Sequence, residues 1–244
     1  MTSNHHQSVM FDKSIKALDL IEDGIYIDAT FGRGGHSQGI LDRLGDNAQL
    51  IAFDQDISAI NYAKETFVDP RLKLIHSPFA QMHTVIEDMG LTGKINGILM
   101  DLGVSSPQLD NAERGFSFNN EGPLDMRMNQ TAGLSAAQWL AQAGEDEIAN
   151  VIYQFGDEKK SRHIASRIKK FQLEQPLEST LQLANIVSEV VRGQKKKHPA
   201  TRTFQAIRIF INEELKQLTG TCLLYTSDAA DDLLCVDLGG RRII

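Results

Sequence analysis

The sequence predicts an α/β fold, an open parallel sheet with helices on both faces, joined to a helical insert. Three observations predict it. Short apolar runs alternate with helical segments from Ile25 to Leu102. Within that region, Ile25 to Asp54 reads as strand, glycine-rich turn, helix, strand and terminal acid. From Ser135 to Gly193 no strand signal appears and helical spacing takes over.

In chain order, Ser14 to Ile21 places Ile15, Leu18 and Ile21 on one helical face and ends at the Asp23-Gly24 turn. Ile25, Ile27 and Ala29 make a short buried strand with Asp28 near its end. Gly32, Gly34 and Gly35 follow, a turn whose backbone a ligand can approach closely. His36 to Leu44 is helical, and Leu50 to Phe53 is a second strand closed by Asp54. Asp54 lies about 20 residues past the first turn glycine, a spacing at which an acid reaches a ribose diol. Ile57 to Phe67 is a helix broken by Asp69-Pro70. Leu72 to Ile75 is a third strand, Met82 to Met89 a helix, and Ile95 to Leu102 a fourth strand containing Asp101. In parallel sheets ligands lie beyond the carboxyl ends of the strands, so the loops carrying Gly32 to His36, Asp54, Phe79 and Asp101 should converge.

Gly103 to Gly133 shows little periodicity and many turn formers. Phe116, Phe118, Met126 and Met128 argue against plain disorder. Helices are then expected from Ser135, over Glu145 to Phe155, Lys159 to Phe171 and Ser179 to Val191. A last one is expected from about Arg202 to Leu218, with Phe204, Ile207, Ile211 and Leu215 on one face.

The chain has 244 residues, 41% hydrophobic, with a formal charge of −7. That suits a globular protein with no global basic excess to announce nucleic acid. No run of about 18 apolar residues is present, and the N-terminus lacks the basic and apolar regions of a signal peptide. The expected location is the cytoplasm, with no membrane partner. The two cysteines, Cys222 and Cys235, fall in the last stretch, and the seven histidines are scattered. No metal site is expected.

The glycine turn does not match G-x-G-x-x-G, so it fits a nucleoside ligand without pyrophosphate better than a dinucleotide. A structural tight turn is the plain alternative. Asp101, ahead of Leu102 to Gln108, suits a substrate amine or a cofactor amino group, or it caps a turn. Phe79 stacks on an adenine or fills the core. Arg192, Lys195, Lys196, Lys197, Arg202 and Arg208 are six cations with no carboxylate among them, a pattern that fits phosphate contacts or a solvated basic loop. Arg114 and Arg127 in the long loop could extend the same surface.

Five segments carry a resemblance. Asp28-Ala-Thr-Phe-Gly-Arg-Gly-Gly-His36, Asp101-Leu-Gly-Val-Ser-Ser-Pro-Gln-Leu-Asp110, Glu113-Arg-Gly-Phe-Ser-Phe118, Gly122-Pro-Leu-Asp-Met-Arg-Met128 and His198-Pro-Ala-Thr-Arg-Thr-Phe-Gln205 resemble the ribosomal RNA small-subunit methyltransferase H family, also called MraW. The resemblance spans about residues 6 to 219. It implies a Rossmann-like S-adenosylmethionine-dependent methyltransferase fold. It implies N4-methylation of a cytidine of 16S ribosomal RNA in the small subunit, at the decoding centre. It implies that Gly34, Gly35, His36, Asp54, Phe79, Asp101 and Gln108 bind S-adenosyl-L-methionine. Residues 1–105 would then form the first part of the core, 106–200 a loop and helical insert for RNA recognition, and 201–220 the return to the core. Cytosine N4 is a poor nucleophile, so a proton acceptor is wanted, and Asp101 or the carbonyls of Leu102 to Ser105 are candidates. Two other readings are an NAD-dependent α/β oxidoreductase and a non-catalytic RNA-binding module.

Residues 221–244 depart from the family, whose C-terminal strands are absent. This tail looks like translated sequencing adaptor joined to a gene truncated near Gly220. The expectation is a fourth strand whose edge has lost its native partner, where Leu233 to Ile244 could lie as a strand not selected for that fit, and a chain that is poorly soluble or inactive.

Overall fold

A computed structural model describes residues 11–191, 198–219, 221 and the backbone of 234–237. The chain divides into two compact units, one running to Gly103 and resuming at Lys216, the other spanning Val104–Leu215.

The first unit is the expected α/β half. Its elements are α1 (Phe11–Ala17), β1 (Ile25–Asp28), α2 (Gly35–Leu41), β2 (Gln49–Asp54), α3 (Ile57–Thr66), β3 (Leu72–His76), α4 (Met82–Asp88) and β4 (Gly97–Met100). The sheet order is β3-β2-β1-β4-β5, where β5 is Leu234–Asp237. All pairings are parallel, with Asp28 opposite both Ala52 and Leu99, and Asp54 opposite His76. The chain order reverses direction across β1, the switch point at which open α/β sheets bind ligands.

Strand alternation explains the two cores. Ile27, Ile51, Phe53, Ile98 and Met100 face one side and pack with Met82 and Ile86 of α4. Tyr26, Leu50 and Leu99 face the other and pack with Ile15 and Leu18 of the N-terminal segment and Ile40, Leu41 and Leu44 at and after α2.

Two expectations are corrected. The first helix spans Phe11–Ala17 and stops there, because Asp19 takes a left-handed φ of 44°. The edge of β4 is taken by Leu234–Asp237, which runs parallel beside it within the stretch the sequence offered for that place. Most of the tail, including Cys222, lies outside the described residues. Gly103 to Gly133 is also not structureless. It holds α5 (Ser106–Asp110) and a 3-10 turn, Ala112–Arg114.

The second unit continues with α6 (Ala136–Gln142), α7 (Glu145–Gly156), α8 (Ser161–Glu174), α9 (Thr180–Val190) and α10 (Thr201–Ile211). Ser135 and Ser179 start α6 and α9 with capping boxes completed by Gln138 and Gln182. The α7 helix packs on α8 and α10. Phe116, Leu124, Met126 and Met128 of the long loop are buried in the same apolar cluster as Ile148, Ile152, Ile164 and Ile207. The loop is also tied to the start of α9, where Leu124 N–H donates to the Glu178 carbonyl at 2.7 Å and Thr180 N–H donates to that of Gly122 at 2.9 Å.

The helix expected from about Arg202 to Leu218 is broken in two. α10 ends at Ile211, Glu213 has a φ of 50°, and residues 214–219 are helical again on a new course in which Leu215, expected inward, is exposed. The reason is polar. Asn212 donates through Nδ2 to the Met126 and Arg208 carbonyls, and its Oδ1 accepts Met128 N–H at 2.7 Å. Fixing the buried long loop takes precedence over continuing the apolar face. Among the described residues, no helix is long and apolar enough to cross a membrane.

Candidate functional site

The strand ends of the first unit assemble a polar crevice from the backbone outward. Past β1, Ala29 N–H donates to the Leu99 carbonyl at 2.8 Å and Phe31 N–H to that of Phe53 at 2.9 Å, so the turn is held by both neighbouring strands. Gly34 then adopts φ 72°, accessible to glycine at little cost, and leads into α2. A Cβ there would strike the rings of Phe67 and Phe31, which meet edge-on at 5.2 Å. Gly34→Ala is therefore expected to lower stability by about 2–4 kcal/mol, from the left-handed backbone and the overpacked ring pair. A thermal melt checks this, and an unchanged Tm would show that the turn tolerates a side chain.

Asp54 ends β2 facing this turn. Its Oδ2 accepts Gly32 N–H and its Oδ1 accepts Asp56 N–H, both at 2.8 Å. Burial pushes its carboxyl up to about 6, against those two hydrogen bonds, which act downward. A carboxylate oxygen accepts two hydrogen bonds, so each of these oxygens has capacity for a further donor. That matches a vicinal diol.

His36 is buried on α2 and stacks against Phe11, with ring centroids 5.8 Å apart. Its Nδ1 lies 3.9 Å from Asp101 Oδ2, beyond hydrogen-bond length. Its Nε2 is buried and has no hydrogen-bond partner among the described residues. A buried donor or acceptor in that state costs about 1–3 kcal/mol, which a polar ligand atom would relieve. Asp101 follows β4, is part-exposed, and its backbone N–H donates to Thr30 Oγ1 at 2.7 Å. Gly35 is exposed as the first residue of α2.

Phe79 follows β3 in a 3-10 turn. Its side chain is buried in the core on the face of Ile27 and Phe53. The turn is tied in through Ser77 N–H, which donates to the Asp54 carbonyl at 3.1 Å. Gln108 belongs to the second unit, where it is buried and its Oε1 accepts Ser105 N–H at 2.9 Å. Among the described residues no group of His, Cys, Asp and Glu side chains is arranged to hold a metal ion.

Two residues of this crevice escaped the sequence reading of side-chain roles. Asp28 is fully buried and accepts Ser37 Oγ–H at 2.7 Å and Thr30 N–H at 3.0 Å. Burial pushes its carboxyl up, against those hydrogen bonds. Asp28 thus joins β1 to the start of α2, and Thr30 joins the turn to Asp101. The signal available was a charged residue inside an apolar strand, which needs buried partners.

The expected cationic residues divide. Arg114 is buried, and its Nη2 donates to the Arg127 and Met128 carbonyls, both at 3.0 Å. The expectation that it joins a charged outer surface is corrected, because it braces the loop from inside. Arg127 pairs bidentately with Asp125 at 2.8 Å. Burial alone would raise the Asp125 carboxyl, but the Arg127 hydrogen bonds hold it below the ordinary value. Arg208 is buried and bound to Glu214. Arg202 is exposed at the start of α10, with Nη1 donating to the Asp157 carbonyl at 2.8 Å. Arg192, Lys195, Lys196 and Lys197 lie outside the described residues.

Asp54 and His36 thus keep polar capacity at the strand ends for a ligand, and comparison with known proteins gives the family. A model of the MraW methylase family matches residues 3–228. The chain is similar to Ribosomal RNA small subunit methyltransferase H of Ruthia magnifica subsp. Calyptogena magnifica, at 71% identity over 218 residues, 89% of this chain and 71% of that protein. It is similar to the protein of the same name from Alteromonas mediterranea, at 58% over 214 residues, covering 87% and 68% of the two chains. The counterpart from Shewanella oneidensis is 51% identical with the same coverage. A match of this length, running through all five motif segments, places the chain in the MraW methylase family.

Proposed function

We propose that this protein transfers a methyl group from S-adenosylmethionine to the exocyclic N4 of a cytidine in 16S ribosomal RNA of the small subunit, at the decoding centre. The observation that carries the reading is Asp54, a part-buried carboxylate closed onto the Gly32 turn with acceptor capacity on each oxygen. A ribose diol supplies the two missing donors. His36 Nε2 awaits one more polar atom. The names of the relatives support the ribosomal RNA substrate.

Gly34, Gly35, His36, Asp54 and Asp101 would hold the cofactor, and the family resemblance alone adds Gln108 and Phe79, whose side chain is buried in the core. When bound, S-adenosylmethionine supplies a methyl on a sulfonium sulfur, which keeps the bonding pair as the methyl leaves. The protein's own task is to make cytosine N4 attack. Its lone pair is delocalised into the ring, and accepting an N–H proton as N4 forms its bond to carbon restores nucleophilicity. Asp101, part-exposed with its backbone fixed by Thr30, takes that proton. The remaining rate enhancement comes from proximity and orientation, and the base must be out of its stack.

Asp101→Asn is expected to lower kcat by about 10²–10⁴, read as methyl transfer under saturating cofactor. Isothermal titration run in parallel reads cofactor affinity. Full turnover with unchanged affinity would remove Asp101 from the mechanism. The same titration discriminates the oxidoreductase reading. Binding of NAD in preference to S-adenosylmethionine would overturn the proposal, which membership of a methylase family already opposes.

A further inference from the structure

We propose that Phe118 and His198 form a platform on which an unpaired nucleobase of the RNA stacks. The proposal rests on the RNA substrate argued above and concerns the second unit alone.

The two residues come from separate motif segments, one in the long loop and one ahead of α10. Their rings lie 4.5 Å apart, tilted by 30°. Phe118 is in turn supported by the buried Phe204 of α10, edge-on at 4.9 Å. Phe118 is half-buried while His198 is exposed, so the histidine is the outermost of three rings built out from the core.

Its ring is oriented. The backbone N–H of Ala200 donates to His198 Nδ1 at 3.2 Å. The donor there is an amide, so Nδ1 carries no proton and the ring proton sits on Nε2. A flat ring, held on one face by Phe118, fixed at one edge by Ala200 and carrying an N–H on the opposite edge, suits a heterocycle with carbonyl and ring-nitrogen acceptors. Nucleobases stack on such side chains with little regard to sequence, as single-stranded RNA recognition requires.

The charge pattern selects RNA over an apolar partner. From residue 192 to 208 the sequence holds six cations and no carboxylate, and of these the structure withdraws Arg208 into a buried pair with Glu214. Arg202, four residues beyond His198, is exposed, and its contact with the Asp157 carbonyl occupies one of five guanidinium N–H groups. An aromatic surface within a basic segment fits a base and its flanking phosphates together.

The competing account is that His198 only shapes the turn before α10 through its Nδ1 contact. Two variants of the full chain separate the accounts. His198→Asn keeps a side-chain acceptor for the Ala200 N–H and removes the ring. His198→Phe keeps the ring and removes the acceptor. Affinity is read by fluorescence anisotropy with a short, labelled single-stranded RNA. Stacking is read by quenching of a 2-aminopurine placed within that RNA. The platform predicts that His198→Asn weakens binding by about tenfold or more and relieves quenching. It predicts that His198→Phe stays within about threefold of the unchanged protein with quenching intact. The salt dependence should be unaltered in both, since no phosphate contact is removed. The reverse ranking, or equal binding by all three proteins, would overturn the platform. Failure of the unchanged protein to bind RNA at low salt would instead overturn the RNA reading, and the platform with it.

Discussion

Asp54→Asn is expected to weaken S-adenosylmethionine binding by roughly 30- to 1,000-fold, equivalent to about 2–4 kcal/mol for replacing charge-assisted hydrogen bonds at a buried site. The carboxylate accepts one backbone N–H on each oxygen. An amide offers one acceptor in place of two and turns its NH₂ toward a donor. The pH dependence follows from the same geometry. Burial places the Asp54 carboxyl at about 6 in the ligand-free protein, and the ionised form is the one that receives a diol. Affinity should be flat above about pH 7 and fall roughly tenfold per unit below pH 6, and Asp54→Asn should abolish that slope. For folding the sign is opposite. A carboxyl whose pKa is raised from 3.8 to about 6 stabilises the fold below pH 3.8, and that contribution is lost as pH rises through 6. Cofactor should therefore raise Tm more at pH 7.5 than at pH 5. Titration calorimetry across pH checks the first statement and a thermal-shift series the second. A flat affinity profile from pH 5 to 8 would contradict the role of Asp54.

The second large effect lies at the end of α10. Arg208 Nε and Nη2 donate to Glu214 Oε1 and Oε2 at 2.7 and 3.0 Å, and both residues are buried. Glu214→Leu leaves a guanidinium without its counterion and is expected to cost about 3–5 kcal/mol, measured by urea denaturation. Removing both charges, as Arg208→Met with Glu214→Leu, should restore most of that loss, because the penalty comes from an unpaired charge more than from a missing attraction. If the single variant lost less than about 1 kcal/mol, water would have to reach Arg208 in the folded protein. The outcome also bears on the basic segment, since an Arg208 required by the fold cannot serve a phosphate.

The particular residues show where sequence was legible. The parallel sheet was readable because Tyr26, Leu50 and Leu99 on one face, and Ile27, Phe53 and Met100 on the other, leave near-continuous apolar runs that only a sheet covered on both sides produces. The convergence of Gly32 and Asp54 was readable because chain topology dictates it. The short helix Ser106–Asp110 was not read, although Ser105 and Gln108 form a capping box with Pro107 between them. Its few residues offer no periodicity. The break at 212–213 was not legible because period alone cannot register Asn212 reaching Met126 and Met128, more than 80 residues away in sequence. Arg114 was misread for a related reason, since a cation's burial depends on which carbonyls the folded loop presents to it. Asp28, quoted within a motif, acquired a role only when Ser37 was found against it.

The central claim is transfer of a methyl group to a cytidine amine of small-subunit ribosomal RNA. It is tested most directly by incubating the protein with labelled S-adenosylmethionine and small subunits that lack the modification, then digesting the RNA to nucleosides. The account predicts label in N4-methylcytidine, lost on Asp54→Asn and strongly reduced on Asp101→Asn. Label in a ring-carbon methylated base, or in no nucleoside while the cofactor binds normally, would contradict it.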